Sequence, residues 1–346
     1  MTDSFPAAAD PVVVIAELSG NHNGSKERAL ELVHAAKEAG ANVVKLQTYT
    51  ADTITMDAPG EWFTIHGGPW NGRRLYDLYG EASTPWEWHA DLFAEAARIG
   101  LRCFSTPFDP TAVDFLETLG VAWYKVASFE VVDIPLLQRV AATRKPVIMS
   151  TGLASGAEID EAVATLRAGG CPEIALLTCV SAYPCAPGDF RLRNIPHLAA
   201  RYGCVVGLSD HSLDGTAAIA AVALGGRLWE KHLCLRRSDG GPDSGFSLEP
   251  QEFAAQVRAL RDAEAALAAP PAFGPGQADA GSVVFRKSLF VARDLPAGHR
   301  LVAADVRCVR PGNGLPPRDL PQVLGRVTNQ PLVRGTPLAW KLFSQA

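Results

Sequence analysis

The sequence lacks any long uninterrupted apolar segment, since no run approaches the ~18 residues that a membrane-spanning helix requires. The first residues, Met1–Pro11, also lack the charged and apolar regions of a secretory signal peptide. A basic excess is missing as well, because 32 Lys and Arg stand against 37 Asp and Glu, for a formal net charge of -5. These absences argue against a membrane span and a nucleic-acid-binding surface, and they predict a cytoplasmic protein.

Paired cysteine motifs are also missing. The chain has seven cysteines, an odd number, and no two of them form a CxxC pair. Reduced thiols fit this pattern better than a disulfide framework or a zinc knuckle. The cysteines are Cys103, Cys171, Cys179, Cys185, Cys204, Cys234 and Cys308.

What the sequence does contain is a regular alternation of strand-like and helix-like patterns. Eight strand–helix units in about 260 residues favour a (β/α)₈ barrel over an open doubly wound sheet. The predicted strands are Val12–Glu17, Val43–Gln47, Leu101–Ser105, Ala122–Val126, Pro146–Ser150, Glu173–Cys179, Val205–Ser209 and Leu228–His232. The predicted helices are Ser25–Ala39, Trp86–Ile99, Asp109–Leu119, Ile134–Thr143, Ser155–Ala168, Leu192–Tyr202, Thr216–Leu224 and Pro250–Ala268. An irregular insertion, about Tyr49–Thr84, follows the second strand.

The composition changes after the last predicted helix. We expect a barrel domain over residues 1–268, a Pro/Gly/Ala-rich linker over residues 269–281, and a small module over residues 282–346. The module carries short β-like runs between turn dipeptides, which predicts an irregular β structure. These runs are Ser288–Ala292, Val306–Arg310, Gly325–Val327 and Thr336–Leu338.

Two histidines end neighbouring predicted strands. His211 follows the strand that begins at Val205, and His232 ends the next strand along the chain. Parallel strands bring their carboxyl ends to one edge, so these imidazoles could share a metal ion. Water or substrate would then complete the coordination of that metal. The alternative is that they are two unrelated histidines at the start of loops.

The other strand ends also carry polar side chains. Lysines, hydroxyls and carboxylates converge with the histidines on the face where a barrel places its chemistry. Lysines and hydroxyls around a closed mouth suit a phosphate or a carboxylate, although each residue alone could be a solvated strand terminus. The set comprises Glu17, Lys45, Gln47, Ser105, Thr106, Lys125, Ser128, Glu130, Ser150, Thr151, Tyr183, Ser209, Asp210, His211, Lys231 and His232.

A series of motifs in order along the chain resembles the sialic acid synthase family. They are AELSGNHNGS, VVKLQTYT, CFSTPFD, YKVASFE, STG, SAYP, GLSDHS, EKH, GGPDSGFSLEP and RPGNG. YKVASFEVVDIPLL, DTITMD and LYDLYGEASTPWEWH resemble the pseudaminic acid branch of the family. The neuraminic and legionaminic branches more often have a Gly-Ser-Gly-Glu type sequence where this chain has Ala127-Ser128-Phe129-Glu130.

The resemblance implies a TIM barrel followed by an antifreeze-like (SAF) domain. It also implies a transferase of the EC 2.5.1 type, which condenses phosphoenolpyruvate with 2,4-diacetamido-2,4,6-trideoxy-L-altrose and water to give a nine-carbon nonulosonic acid and phosphate. The implied cofactor is a divalent metal, usually Mn²⁺, with Mg²⁺ or Co²⁺ as alternatives. The alternative activity is an N-acetylneuraminate or legionaminate synthase with an N-acetylmannosamine-type acceptor.

Roles for individual residues follow from the same resemblance. His211 and His232 are the implied metal ligands, and Glu17 and Glu130 join them as catalytic candidates. Structural ion pairs with Lys45 or Lys125 are the alternative for the two glutamates, and Asp210 could orient His211 or cap a helix. Residues implied to bind phosphoenolpyruvate are Lys45, Lys125, Ser128, Ser150 and Ser209. Residues implied to bind the sugar are Gln47, Thr106, Tyr183, Asp243 and Arg310.

The resemblance further implies a domain-swapped homodimer, in which each SAF domain covers the partner's barrel and supplies Arg310. The alternative for Arg310 is a surface turn without a catalytic part. Two rival functions remain open: a Schiff-base aldolase that uses a strand-end lysine, and an ice- or carbohydrate-binding protein built around the SAF domain. The insertion has several aromatic residues that could line the apolar 6-deoxy side of the substrate, but such a set more often serves packing and we leave it out of the site; its members are Trp62, Phe63, Trp70, Tyr76 and Tyr79.

Overall fold

The computed structural model of the protein describes residues 4–7 and 9–344. Residues 1–3, 8, 345 and 346 lie outside the described residues. They include both ends of the predicted domains and part of the segment Met1–Pro11. The chain divides between Ala269 and Pro270 into two compact units. In the part of the chain that the structure describes, no helix is long and apolar enough to cross a membrane.

The first unit is a closed barrel of eight parallel strands in sequence order. This confirms the predicted (β/α)₈ fold, and each strand lies within about two residues of its predicted bounds. The strands are β1 (Val13–Glu17), β2 (Val43–Thr48), β3 (Arg102–Pro107), β4 (Tyr124–Val126), β5 (Val147–Ser150), β6 (Ile174–Cys179), β7 (Val205–Asp210) and β8 (Leu228–His232).

Helices connect the strands on the outside of the barrel. They are α1 (Lys26–Glu38), α2 (Ala51–Ile54), α3 (Leu75–Ala82), α4 (Trp86–Arg98), α5 (Pro110–Thr118), α6 (Ile134–Ala141), α7 (Gly156–Ala168), α8 (Asn194–Tyr202), α9 (Thr216–Ala223) and α10 (Pro250–Leu267). Side chains define several helix starts: Ser25 accepts a hydrogen bond from the Arg28 amide, and Asp109 and Ser155 cap α5 and α7 in the same way.

Strand alternation divides the buried apolar residues into two layers. Ile15, Phe104, Ile148 and Leu177 belong to the cluster that fills the barrel interior below the mouth. A larger cluster lies between the strands and the helices. Because successive side chains point to opposite faces, polar residues at the inward positions near the strand ends are held above this packed interior.

The insertion after β2 differs from its prediction. It is not simply irregular, since it contains α2 and α3 and a short hairpin-like loop over residues 64–74. The loop is closed by two backbone hydrogen bonds, from Ile65 N to Arg73 O (2.9 Å) and from Gly72 N to Ile65 O (2.8 Å). Helices this short depend on tertiary contacts, so a periodicity search does not find them.

The second unit is a small irregular β module. Its sheet pairs β9 (Ser288–Val291) with β10 (Val306–Val309) in antiparallel register, and α11 (Leu320–Val323) packs beside it. The other two β-like runs, Gly325–Val327 and Thr336–Leu338, each make one isolated bridge rather than a strand. Gly325 has a positive φ of 85°, and Pro337 has no amide to donate, which explains why neither run extends a ladder.

The predicted linker also differs in part from its expected irregular form. A 3₁₀ helix spans Gln277–Phe285. The last residues of the predicted linker, 277–281, therefore belong to this helix. Its side chains are largely exposed to solvent.

Candidate active site

A cavity of about 360 Å³ opens at the carboxyl ends of the barrel strands. Strand ends and the loops after them line it, as the sequence predicts for a barrel. The structure brings together eleven of the predicted site residues in its lining: Lys45, Gln47, Lys125, Ser128, Glu130, Ser150, Tyr183, Ser209, His211, His232 and Asp243.

Two buried lysines form the floor of this cavity. Lys45 Nζ makes a close ion pair with Glu17 and lies 3.6 Å from Glu230 Oε1. Lys125 Nζ lies 3.7 Å from the same Glu230 oxygen and donates a hydrogen bond to Ser150 Oγ at 2.8 Å. The floor therefore places two ammonium groups around one carboxylate, with hydroxyl groups alongside.

Glu230 is a site residue that our sequence reasoning missed. It lines the cavity, is 4% exposed, and accepts a hydrogen bond from Ser209 Oγ at 3.2 Å. A signal for it exists in the sequence: Glu230 and His232 are two residues apart on β8, so they face the same side of the strand. Because Lys231 lies between them, it faces the opposite side.

Lys231 and Asp210, both placed on the rim by the sequence, do not line the cavity. Lys231 is fully buried on the outward face of β8, where it contacts the Ser212 carbonyl and lies 3.7 Å from Asp210 Oδ1. Asp210 also accepts hydrogen bonds from Ser212 and from Trp229 Nε1. The pair links the ends of β7 and β8 from behind the site, and no hydrogen bond joins Asp210 to His211 in the described part of the chain.

The buried charges have shifted pKa values. Burial raises the pKa of the Glu17 carboxyl, and Lys45 opposes that rise without reversing it. Burial also acts to raise the pKa of Glu230, but the ammonium groups of Lys125 and Lys45 outweigh it and leave this carboxyl more acidic than usual. Glu230 therefore stays ionised between the two lysines.

The two histidines are close enough to act together. Their ring centroids are 5.5 Å apart, and burial lowers the pKa of His211 to about 4 and that of His232 well below its usual value. Both imidazoles are therefore neutral at pH 7. His211 Nδ1 donates to the Val180 carbonyl at 2.8 Å, which leaves Nε2 with its lone pair, and His232 Nδ1 lies 3.3 Å from Ser19 Oγ.

This pair fits a divalent cation that keeps open coordination positions. Neutral imidazoles held through one ring nitrogen are the usual form of metal-binding histidines. No group of three or more His, Cys, Asp or Glu side chains in the described residues is arranged to enclose a metal. A metal held by these two imidazoles would take its other ligands from water or substrate.

Glu130 lies on the 3₁₀ turn after β4, at the side of the cavity. Burial raises the pKa of its carboxyl to about 7, and its Oε2 atom is buried without a hydrogen-bond partner among the described residues. Burial also raises the pKa of Asp243, whose Oδ2 accepts a hydrogen bond from Gly20 N at 3.3 Å. Each carboxyl is thus available to a ligand in the cavity.

Two predicted site residues of the first unit, Glu17 and Thr106, do not line the cavity. Glu17 lies beneath it and holds Lys45, while Thr106 accepts a hydrogen bond from Lys45 Nζ at 3.2 Å. Arg310 belongs to the second compact unit. The geometry gives Glu17 and Thr106 the role of positioning a lysine, and it leaves the role of Arg310 as a prediction.

The aromatic residues of the insertion divide between the cavity and the surface. Trp70 and Tyr79 line the cavity, whereas Trp62 is 93% exposed. The Trp70 ring contacts Tyr183 and Phe246, with centroids 5.4 Å and 5.9 Å apart. The assignment of this set to packing is therefore incomplete, because composition alone does not show which aromatic of an irregular loop points inward.

A barrel whose carboxyl-terminal face gathers buried lysines, a carboxyl with a pKa near neutrality and a neutral histidine pair defines a barrel enzyme. The chain belongs to the NeuB family, whose profile matches residues 32–270. The SAF domain profile matches residues 286–344.

Known proteins similar to this chain cover most of it. A pseudaminic acid synthase from Campylobacter jejuni is 41% identical over 94% of this chain and 95% of its own length. An N,N'-diacetyllegionaminic acid synthase from Legionella pneumophila is 33% identical over 95% of this chain and 93% of its own. The crystal structure of N-acetylneuraminic acid synthetase from Leptospira borgpetersenii, in complex with citrate, superposes with a TM-score of 0.70 at 29% identity. It covers 80% of this chain and 91% of that one.

Proposed function

We propose that the protein catalyses the pseudaminic acid synthase reaction. Phosphoenolpyruvate, 2,4-diacetamido-2,4,6-trideoxy-L-altrose and water react to give a nine-carbon nonulosonic acid and phosphate. The observation that carries the proposal is the floor of two buried lysines beside two neutral histidines, in a chain that aligns almost end to end with pseudaminic acid synthases. The reaction makes the enzyme a transferase of the EC 2.5.1 type.

Phosphoenolpyruvate is the ligand that suits the floor. Its phosphate and carboxylate are both anionic, and Lys45 and Lys125 supply two ammonium groups that a buried site holds in place. The hydroxyls of Ser128, Ser150 and Ser209 complete the cradle. Glu17 and Glu230 hold the two lysine side chains in place before the ligand arrives, so little rearrangement is needed on binding.

The acceptor aldehyde lies at the histidine pair. When it is bound by His211 and His232, a divalent cation, Mn²⁺ or alternatively Mg²⁺ or Co²⁺, supplies Lewis-acid polarisation of a carbonyl. Asp243, Tyr183 and Gln47 line the cavity beside this position and are the groups that orient the hydroxyl and acetamido substituents of the sugar. Thr106 does not contact the sugar and instead positions Lys45 in the phosphoenolpyruvate floor.

Proton transfer is assigned to Glu130. Carbon 3 of phosphoenolpyruvate forms a bond to the aldehyde carbon, whose oxygen takes up a proton. Water then adds to the electron-poor carbon 2, and Glu130 accepts the proton that this water loses. In the tetrahedral intermediate the bond between carbon 2 and the bridging oxygen breaks, the carbon 2 hydroxyl becomes the keto group, and its proton leaves with the phosphate. A carboxyl with a pKa of about 7 suits this exchange, because it can both accept and return a proton near neutral pH.

We also propose that two chains form a homodimer in which the SAF domain of one chain, with Arg310, completes the site of the other. Two features support this proposal. Exposed apolar side chains lie on the loops after β4, β5 and β7, namely Phe129, Val132, Leu153 and Leu213. Residues 282–346 contain ten Lys and Arg but three Asp and Glu, whereas the rest of the chain contains 22 and 34. A basic module and an acidic barrel attract each other.

The proposal is tested by phosphate release from phosphoenolpyruvate in the presence of Mn²⁺. The L-altro sugar, its manno-configured 2,4-diacetamido-6-deoxy analogue and N-acetylmannosamine are offered in parallel, each with an EDTA control. Release with the L-altro sugar alone, lost in EDTA, is the expected result. Preference for a manno-configured acceptor would assign a neuraminate or legionaminate synthase, and no release with any acceptor would overturn the proposal.

A further inference from the structure

The cavity has two chemically different sides. Its floor is polar and charged, whereas the insertion between β2 and α4 lines it with a group of apolar side chains beside the phenols of Tyr49 and Tyr79. We call this surface the apolar wall and define it as Ile54, Ile65, Trp70, Leu78 and Ala82, all of which line the cavity. Among these five side chains only Trp70 has a polar group, its indole N–H, which donates a hydrogen bond to the Pro242 carbonyl at 2.7 Å.

Backbone and ring contacts hold the wall in place. Ile65 and Trp70 lie on the hairpin-like loop of residues 64–74, whose two backbone hydrogen bonds involve Ile65 itself. The Trp70 indole then joins this loop to the segment after β8 through Pro242, the neighbour of Asp243. Leu78 and Ala82 come from α3 and are buried. The wall is therefore a preformed surface rather than a loose loop over the mouth.

The chemistry fixes which end of the acceptor meets the wall. The aldehyde carbon must reach the floor, where phosphoenolpyruvate and the histidine pair lie. The insertion begins directly after β2 ends at Thr48, so its side chains line the cavity beyond the strand ends. An open-chain sugar whose carbon 1 is at the floor therefore directs carbons 5 and 6 away from it, toward the insertion.

We propose that the apolar wall recognises carbon 6 of the acceptor as a methyl group, and so selects 6-deoxy sugars over their 6-hydroxy counterparts. This inference rests on the proposed function and names the residues that set its acceptor specificity. A methyl group gains from leaving water at such a surface. A hydroxyl group against these five side chains gives up its hydrogen bonds to water and regains none from them, because the Trp70 N–H is already paired and Tyr49 and Tyr79 lie outside the wall.

The expected discrimination is about 10- to 100-fold in kcat/KM, which is the range for one hydroxyl group in an apolar pocket. The experiment compares 2,4-diacetamido-2,4,6-trideoxy-L-altrose with 2,4-diacetamido-2,4-dideoxy-L-altrose, since the two sugars differ only in the hydroxyl at carbon 6. The variants are Ile54→Thr and Ile65→Thr, each of which puts a hydroxyl into the wall. Ile219→Thr, on the outer helix α9 with its side chain 40% exposed, is the matched control.

The wild-type enzyme and Ile219→Thr should prefer the 6-deoxy sugar by the same factor. Each wall variant should reduce that factor about tenfold, mainly through KM, because contacts at carbon 6 are the same in substrate and transition state. Circular dichroism confirms that the variants are folded. Equal turnover of both sugars by the wild type, or a preference that neither wall variant changes, would overturn the inference while leaving the synthase reaction intact. Failure of the wild type with both sugars would overturn the proposed function and this inference together.

Discussion

Glu130 shows how the barrel adjusts one carboxyl for chemistry. It follows β4 by four residues and lies beside the cavity, where burial removes water from its charge and raises its pKa to about 7. Lys125 opposes that rise but does not cancel it. The carboxyl is thus half ionised near neutral pH, and it can accept a proton from water without holding it permanently.

The pH dependence of turnover tests this role. Because Glu130 must be ionised to accept a proton, kcat should fall as the pH decreases below about 7, tending toward tenfold per pH unit. Glu130→Gln should lower kcat by about 10²- to 10⁴-fold and remove that acid limb. The measurement is a kcat profile from pH 5 to 9. Glu161→Gln, on the exposed side of α7, is the control that should keep the wild-type profile. An acid limb that persists in Glu130→Gln would assign the proton transfer to another group.

Metal binding can be measured apart from turnover. His211→Ala and His232→Ala should each weaken Mn²⁺ binding by at least about 100-fold, since each removes one of the two imidazoles of the pair. Electron paramagnetic resonance of free Mn²⁺ reports binding directly, and phosphate release should be lost in parallel. His197→Ala, on the exposed face of α8, should bind Mn²⁺ like the wild type. Unchanged Mn²⁺ binding in both site variants would rule out the histidine pair as the metal site.

At the residue scale, strand ends were predictable and loop residues were not. Lys45, Lys125 and His232 end apolar runs, so position alone assigned them to the barrel mouth. Glu230 was not predicted, because it lies inside β8 and only the residues at strand ends were considered. Its spacing of two residues from His232 shows that both side chains face the cavity. Trp70 escaped because no periodicity fixes the direction of a side chain in an irregular loop.

At the element scale, the site depends on the close pairing of β7 with β8. Gly207 on β7 is opposite Leu228 on β8, and a Cβ atom at Gly207 would lie 2.1 Å from the Leu228 carbonyl oxygen. The two histidines extend from the ends of these strands. A glycine at this position is therefore a steric requirement for bringing the pair together, and backbone flexibility has no part in it.

Gly207→Ala tests that requirement. The added methyl group must displace the β8 backbone, which should destabilise the protein by about 1–3 kcal/mol or more and weaken Mn²⁺ binding. Urea unfolding followed by tryptophan fluorescence gives the shift in midpoint. Gly188→Ala, where a Cβ would meet no atom within 4 Å, should unfold at the wild-type midpoint. Equal midpoints for the two variants would show that the β7–β8 spacing tolerates a side chain.

Elements were predictable in proportion to their length and periodicity. The barrel strands and the long outer helices were predictable from the spacing of their apolar residues and from helix caps such as Ser25 and Ser155. The short helices of the insertion did not, because their stability comes from tertiary contacts. In the second unit, Gly325 and Pro337 limit two β-like runs to isolated bridges, as a positive φ and a missing amide require.

At the scale of the whole molecule, charge separates the chain into two parts. Residues 282–346 are strongly basic and the remainder is acidic, although the total charge is only -5. Whole-chain composition conceals this contrast. The contrast favours association of the SAF domain with a barrel, and the proposed homodimer uses the barrel of the partner chain.

Complementation between variants tests the exchange. Arg310→Ala and His211→Ala should each be nearly inactive alone, because one lacks the residue supplied in trans and the other lacks a metal ligand. Coexpressed chains that pair at random should recover about a quarter of the wild-type activity, since one site in each mixed dimer is intact. Arg334→Ala, exposed in the same unit, should remain active by itself. Absence of recovery, with a monomer in sedimentation, would contradict the exchange.

The most direct measurement of the central claim uses phosphoenolpyruvate labelled with ¹⁸O at the oxygen that bridges carbon 2 and phosphorus. The labelled compound is reacted with 2,4-diacetamido-2,4,6-trideoxy-L-altrose and Mn²⁺, and both products are analysed by mass spectrometry. Water addition at carbon 2 predicts a nine-carbon keto acid without the label and inorganic phosphate that contains it. Unlabelled phosphate would mean that water attacks phosphorus, which would contradict the condensation proposed for this cavity.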